Sequence, residues 1–413
     1  MKDPIRVLHF ADVHIGIESY GKTDPNSGVS SRVVDFLHRM DDMIAYAREG
    51  DVDLVIFAGD AFKTRSPNQT HQREFAHRIR DLSRTAPTVL LVGNHDLPIN
   101  AVKASTVEIY ETLDVPDVWV AQDYEVKPIT TRRGDVVVAA APYPIRARIM
   151  ENVRTSGMTI DQQDDELQNR LHHLLQDLSR QADALAGADT PRLLIGHFTV
   201  AGAVWGSERS VMLGRDVSVD LGTLADPRWD YVALGHIHKH QNLTPNRADA
   251  PPVVYSGSLE RIDFGEEGDA KGFCWVRLAR GKTDWEFVKV NARPMLTLRA
   301  DCREADNPTQ QVLDVMKQYR LRDAIVRLVI QLTAETETLL RDAAIFEQMK
   351  RAGVFHIAGI RKEVERHDRS RLDVSPEGLT PLELLDRYFK SRGIGGARRE
   401  ELLAFAKDII EPK

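Results

Sequence analysis

The run Val89-Leu90-Leu91-Val92-Gly93-Asn94-His95-Asp96 constrains this chain more than any other stretch. Four consecutive apolar residues suit a strand buried on both faces. A glycine then interrupts the run, and three polar side chains able to bind metal follow at once. Gly-Asn is also good turn chemistry, so the run alone is compatible with a plain turn. The pattern recurs, however. Leu8-His9-Phe10 leads to Asp12-Val13-His14, and Val55-Ile56-Phe57 leads to Gly59-Asp60. Leu193-Leu194-Ile195 leads to Gly196-His197, and Val232-Ala233-Leu234 to Gly235-His236-Ile237-His238. Five strand ends in one style are hard to explain as five unrelated turns.

Helical patterns over 31–49 and 68–84 separate the first three runs, with Val34, Leu37, Met40, Ile44 and Ala47 near helical spacing in the first. Strand–helix alternation predicts an α/β fold. In such sheets ligands gather beyond the carboxyl ends of the strands, where Asp12, His14, Asp60, Asn94, His95 and Asp96 all fall. Asp12 and His14 are two apart, so they share a side while their strand persists.

The rest of the chain sorts by pattern. Residues 118–141 are β-rich around an Arg133-Gly134 turn, and 145–188 carry Leu167, Leu171, Leu174, Leu175 and Leu178 at helical spacing. Segments 253–261 and 271–276 predict strands of a second sheet, and the first domain, 1–293, is expected to close there. Residues 294–365 predict a small α+β lobe, with strands near both ends and helices over 308–319 and 336–352. Residues 366–378 read as a polar linker, and 379–413 as two short helices around Gly393-Ile394-Gly395-Gly396. Their apolar stripes, Leu382, Leu385 and Phe389 on one and Leu402, Phe405 and Ile409 on the other, exceed what two isolated short helices bury between them.

Bulk properties exclude some functions. A chain of 413 residues is too long for one typical core. A net charge of -7 does not advertise a nucleic-acid binder, although a bound metal or a local basic patch still holds phosphate. Cys274 and Cys302 are the two cysteines and form no CxxC pair, which argues against zinc thiolates and fits a reducing cytoplasm. The first residues lack the apolar core of a signal peptide, and no run approaches the roughly 20 apolar residues that span a bilayer, so no membrane association is expected.

The strand-end residues together define a chemistry. Asp12, His14, Asp60, Asn94, His95, His197, His236 and His238 are imidazoles, carboxylates and one amide. Without cysteine, such a set suits manganese, iron or zinc. It exceeds the four ligands of one tetrahedral zinc and suffices for two ions sharing a carboxylate. Two metals about 4 Å apart are a recurring solution for phosphate-ester hydrolysis, in which an acidified bridging water attacks phosphorus.

The ordered motifs Asp12-x-His14, Gly59-Asp60, Gly93-Asn94-His95-Asp96, Gly196-His197 and Gly235-His236-x-His238 resemble the signature of the calcineurin-like metallophosphoesterases. The resemblance implies Asp12, His14 and His238 as ligands of one metal and Asn94, His197 and His236 as ligands of the other. It implies Asp60 as the bridging carboxylate, His95 as the histidine that contacts the scissile phosphate and protonates the leaving oxygen, and Asp96 as the acid that orients it. Lys63 and Thr64 stand where protein serine/threonine phosphatases of the superfamily carry Asp-Arg, which counts against that branch. Gly59-Asp60-Ala61-Phe62, the segment from Tyr255 to Glu266, and Lys271-Gly272-Phe273 resemble SbcD-type DNA repair nucleases.

That resemblance implies an α/β fold with a two-sheet metallophosphoesterase core flanked by helices, plus a small α+β capping domain and a C-terminal helical pair. It implies a manganese-dependent 3′–5′ exonuclease and endonuclease acting on DNA ends and hairpins. The capping lobe would select DNA, and the helical pair would bind the coiled coil of an SbcC-type ATPase. A homodimer, a heterotetramer with the ATPase, and a cytoplasmic, nucleoid-associated setting are implied likewise. Many relatives carry a second histidine where Lys63 stands, and lysine is a poor proton donor near neutral pH. Lys63 and Arg65, with Lys22 and Arg32, are candidate DNA-phosphate contacts. The alternatives are a small-molecule phosphodiesterase and an inactive DNA-binding scaffold.

Overall fold

The computed structural model describes residues 3–26, 28–98, 103–206, 217–245, 247, 249–365 and 379–410, so the linker expected at 366–378 lies outside the described residues. The chain divides into two compact units. One comprises Met1–Leu298, Met316–Leu328 and Phe346–Ile360, and the other Arg299–Val315, Val329–Ile345 and Arg361–Lys413.

The first unit is built on two six-stranded sheets. In chain order their strands are β1 (Ile5–Phe10), β2 (Leu54–Phe57), β3 (Thr88–Leu91), β4 (Val118–Ala121), β5 (Glu125–Thr131), β6 (Gly134–Ala141) and β7 (Arg192–His197). A two-residue pair, β8 (Thr199–Val200) and β9 (Ser218–Val219), stands apart. Then come β10 (Tyr231–Gly235), β11 (Gln241–Asn242), β12 (Val253–Tyr255), β13 (Gly272–Leu278) and β14 (Asp284–Lys289). The first sheet runs β14-β13-β1-β2-β3-β4, and the second β11-β12-β10-β7-β6-β5. Each has four parallel strands: β1 to β4 in one, β12, β10, β7 and β6 in the other.

The pleat explains why these strands are apolar throughout. In β2, Leu54 and Ile56 face the other sheet, while Val55 and Phe57 face the helices Ser31–Glu49 and Gln69–Ser83. The second sheet turns Val138, Leu193 and Ile195 inward and Val137, Ala139 and Leu194 outward onto the helix Ile160–Leu185. Two helical layers thus enclose two sheets. Asn68 and Thr159 cap two of these helices by accepting backbone N–H groups of the first turn. The first helix buries Val33 and Phe36, with Val34 only half-buried, so its inner face is turned slightly from the one the spacing predicts.

The segments expected to share a second sheet separate. β12 joins the second sheet beside β10, whereas β13 crosses to the first and pairs antiparallel with β1, Val7 opposite Val276. Local pattern carries no information about that pairing.

A third sheet, β15 (Met295–Asp301), β16 (Ile325–Thr333) and β17 (His356–Glu365), runs in that order, and the division into units passes through its strands. The helix expected over 336–352 is two helices, Ala334–Leu339 and Asp342–Arg351. The break at Leu340 is extended, and the Arg341 N–H donates to the Thr309 hydroxyl at 2.9 Å in place of a helical carbonyl. In the second unit the helices Pro381–Ser391 and Gly396–Ile410 pack together, yet Phe405 and Ile409 remain 69% and 66% exposed. Among the described residues no helix is long and apolar enough to cross a membrane.

Candidate metal centre

The ends of β1, β2, β3, β7 and β10 converge at one edge of the paired sheets. Backbone bonds knit the first two loops: Asp12 N–H donates to Gly59 O at 3.0 Å and His14 N–H to Asp60 O at 3.2 Å. β1 stops at Phe10, so Asp12 and His14 are not strand neighbours facing one side. Both adopt left-handed backbone, φ 52° and 48°, as do Asp60 at 64° and His236 at 93°. Such conformations cost on the order of 1 kcal/mol or more each and persist where surrounding structure enforces them.

Gly93 has a different task from the sharp turn that the sequence suggests. Its φ is not positive, but a Cβ there would lie 2.2 Å from Asp60 Oδ1 and 2.6 Å from Asp60 N. Room, not backbone freedom, requires glycine. Gly59 needs both, with φ 98° and a Cβ position 2.3 Å from His197 Nδ1.

Two sets of donor atoms meet around Asp60. Ligand atoms of Asp12, His14 and His238 lie within 4.8 Å of one another. His14 Nε2 is 3.0 Å from His238 Nε2. On the other side Asn94 Oδ1 is 3.0 Å from both His197 Nε2 and His236 Nδ1. Asp60 Oδ2 stands between, 3.6 Å from His14 Nε2 and 3.4 Å from His197 Nε2. Asp12, His14, Asp60, His197, His236 and His238 are buried, while Asn94 and His95 are half-buried.

Lone pairs facing lone pairs need positive charge among them. Burial, reinforced by the Asp60 charge, pushes Asp12 up to about 7 despite His197 and His238. Burial opposes the charge on His197, but the Asp60 and Asp12 carboxylates prevail and hold it up to about 9. Burial also pushes Asp60 up, yet the neighbouring His197, His95 and His14 keep it well below the usual range. Two convergent clusters of oxygen and imidazole nitrogen, sharing one carboxylate and lacking sulfur, fit a pair of divalent cations.

Several imidazoles are oriented by carbonyls. His197 Nδ1–H donates to Ala58 O at 2.6 Å, and His95 Nδ1–H to Lys63 O at 2.9 Å. The role expected of Asp96 therefore falls to the Lys63 backbone. Asp96 accepts instead from the N–H groups of Asp60, Ala61 and Gly93 at 2.8, 3.0 and 3.0 Å, and from the Thr106 hydroxyl at 3.0 Å. It ties the loop after β2 to the loop after β3. Its carboxylate never turns to the His95 ring because its oxygens are committed to these donors.

Arg32 also departs from expectation. It is fully buried, donating to Asp35 at 2.7 Å and to Arg261 O at 2.6 Å, and is not a surface phosphate contact. Arg65 and Lys22 are exposed, and Lys63 is half-buried. His9 is a core residue between the sheets, 3.1 Å from Tyr231 Oη and 3.2 Å from Leu234 O.

Two residues noted in the sequence only as part of a resemblance sit directly behind the centre. Glu266 Oε1 is 2.8 Å from His238 Nδ1, and Glu266 Oε2 is 2.8 Å from Lys271 Nζ. Burial pushes Glu266 up, but Lys271 and His238 hold it well below the usual carboxylate range. No local signal marked them, because residues 261–270 also carry Arg261, Asp263, Glu267 and Asp269, all half-buried or exposed.

The family model for calcineurin-like phosphoesterases matches residues 5–240 of this chain. Over 412 residues the chain is 26% identical to the SbcD component of nuclease SbcCD from Bacillus subtilis, covering 96% of this chain and 95% of that relative. It is 27% identical over 325 residues to the same component from Escherichia coli K12, covering 76% of each. It is 23% identical over 367 residues to the DNA double-strand break repair protein Mre11 of Thermoplasma acidophilum, covering 86% and 84%.

Proposed function

The chain belongs to the calcineurin-like phosphoesterase family, and from that premise we propose that it is a metal-dependent DNA nuclease of the SbcD type. The observation that carries the proposal is Asp60 Oδ2, set within 3.6 Å of an imidazole nitrogen from each of two ligand clusters. The names of its relatives, nucleases and a break-repair protein, support DNA as the substrate. In this reading Asp12, His14 and His238 hold one cation, Asn94, His197 and His236 the other, and Asp60 both. Manganese suits the nitrogen–oxygen donor set. When bound, the cations supply Lewis acidity toward phosphoryl oxygens and lower the pKa of water so that it attacks phosphorus at neutral pH.

The chain's own residues do the rest. Asp60 Oδ1 accepts the His95 N–H at 2.8 Å, which fixes where the His95 backbone stands relative to the shared carboxylate. His95 Nδ1 is committed to the Lys63 carbonyl, so Nε2 is the atom offered to the phosphate and to the departing oxygen. Asp96 holds the Asp60 and Gly93 loops at fixed separation.

The wider assignment follows the same reading. Residues 1–293 form the nuclease domain and 294–365 a DNA-selecting cap. Residues 379–413 bind the coiled coil of an SbcC-type ATPase within a heterotetramer built on a nuclease homodimer, associated with the nucleoid. The exposed Phe405 and Ile409 support a partner for the tail. Exonuclease and endonuclease action on ends and hairpins, 3′–5′ in polarity, completes it. The test is incubation of the pure protein with manganese and end-labelled duplex or hairpin DNA, beside bis(nitrophenyl) phosphate. Hydrolysis of the small ester without cleavage of DNA, even with the ATPase added, rejects the nuclease in favour of a small-molecule phosphodiesterase.

A further inference from the structure

We propose that Glu266 and Lys271 form a positioning dyad that holds the metal ligand His238, and that one cation of the pair depends on it. The proposal rests on reading the centre as a site for two divalent cations.

The geometry is a closed ring. The His238 Nδ1–H donates to Glu266 Oε1 at 2.8 Å. Glu266 Oε2 meets Lys271 Nζ at 2.8 Å. Lys271 Nζ returns to the His238 carbonyl at 3.2 Å and donates also to Ser258 Oγ at 2.9 Å. The ring therefore grips His238 by its side chain and by its backbone. With Nδ1 carrying the proton, His238 turns Nε2 toward His14 Nε2, 3.0 Å away, where the first cluster converges. The Ile262 N–H also donates to Glu266 Oε2 at 2.9 Å.

Burial makes the arrangement hard to explain by stability. The Glu266 and Lys271 side chains are both 0% exposed. Removing two charges from water is costly, and well-packed apolar residues of similar size stabilise as well or better. A buried pair touching a ligand has another use. A carboxylate on the far nitrogen fixes the tautomer and ring orientation of a metal-binding histidine and raises its basicity. His197 and His95 have backbone carbonyls at the same position, whereas His238 has a charged partner there. Glu266 and Lys271 also lie beyond residues 5–240, the stretch the family model matches.

The experiment compares manganese binding in wild type, the double variant Glu266→Met with Lys271→Met, and Glu266→Gln. Calorimetry gives stoichiometry and affinity. Electron paramagnetic resonance distinguishes a coupled manganese pair from single ions, and thermal unfolding of the metal-free proteins reports the fold. Wild type is expected to bind two ions. The double variant removes both charges together, so its metal-free form is expected to unfold near wild type. It is expected to bind one ion normally and the other about 10- to 100-fold more weakly, with isolated-ion spectra at substoichiometric manganese. Glu266→Gln keeps the shape and an acceptor oxygen without the charge, and is expected to weaken the same ion to a smaller extent. It decides the matter if the double variant does not fold. Wild-type affinity for both ions in a folded variant overturns the dyad. Failure of wild type itself to bind two ions overturns the reading of the centre instead.

Discussion

Replacing Gly93 by alanine isolates the demand for space at the centre. The added methyl carbon would sit 2.2 Å from Asp60 Oδ1, 2.6 Å from Asp60 N and 2.9 Å from Asp60 Cγ. Non-bonded contacts to carbon settle near 3.5 Å, so the carboxylate or the strand end has to retreat by roughly 1 Å. Retreat is opposed on two sides. The His95 N–H holds Asp60 Oδ1 at 2.8 Å, and Asp96 holds the Asp60 N–H at 2.8 Å. Overpacking of this kind costs about 1–3 kcal/mol. The larger effect falls on chemistry, since a misplacement of about 1 Å at a reacting site costs on the order of 100-fold in rate. The assays are urea unfolding of the metal-free protein, manganese content by mass spectrometry, and hydrolysis of bis(nitrophenyl) phosphate. Gly395→Ala is the control, because its added carbon meets nothing within 4 Å and its φ is not positive. Gly93→Ala with wild-type metal content and wild-type rate would refute the spatial argument.

Three further expectations follow. His95→Asn should keep manganese near wild-type content while hydrolysis falls by about 100-fold or more, and loss of metal would show that His95 is a ligand. Burial pushes His9 down to about 3 from an unfolded value near 6.5. Its contribution is therefore fully present above pH 6.5 and shrinks as pH falls toward 3, by roughly 1.4 kcal/mol per pH unit. The stability of His9→Gln should fall less steeply between pH 6.5 and 4.5 than that of wild type, and parallel urea-unfolding curves would contradict this. Deleting residues 379–413 should abolish co-purification with the ATPase while bis(nitrophenyl) phosphate is still hydrolysed, whereas retention of the ATPase would remove the tail from the interface.

The candidate ligand residues were legible because each belongs to a local unit, a short apolar strand stopped by a sharp loop. Asp12, His14, Asp60, Asn94, His197, His236 and His238 all announce themselves in this way, and the structure brings them together. Roles that depend on a distant partner were not legible. The family resemblance pairs Asp96 with its neighbour His95, but its carboxylate binds the loop at Asp60 and Ala61. Arg32 reads as surface charge because its partners, Asp35 and the carbonyl of Arg261, are only partly local.

Strand–helix alternation, the five motif loops and their metal chemistry were thus properties of the chain written in order, since periodicity and turn chemistry act over a few residues. Tertiary structure alone decided that β13 crosses to lie beside β1, and that Gly93 is required by the carboxylate of Asp60. It alone set Glu266 and Lys271 behind His238. Each of these joins positions more than 25 residues apart, and contacts of that range form only when distant segments of the chain pair or pack.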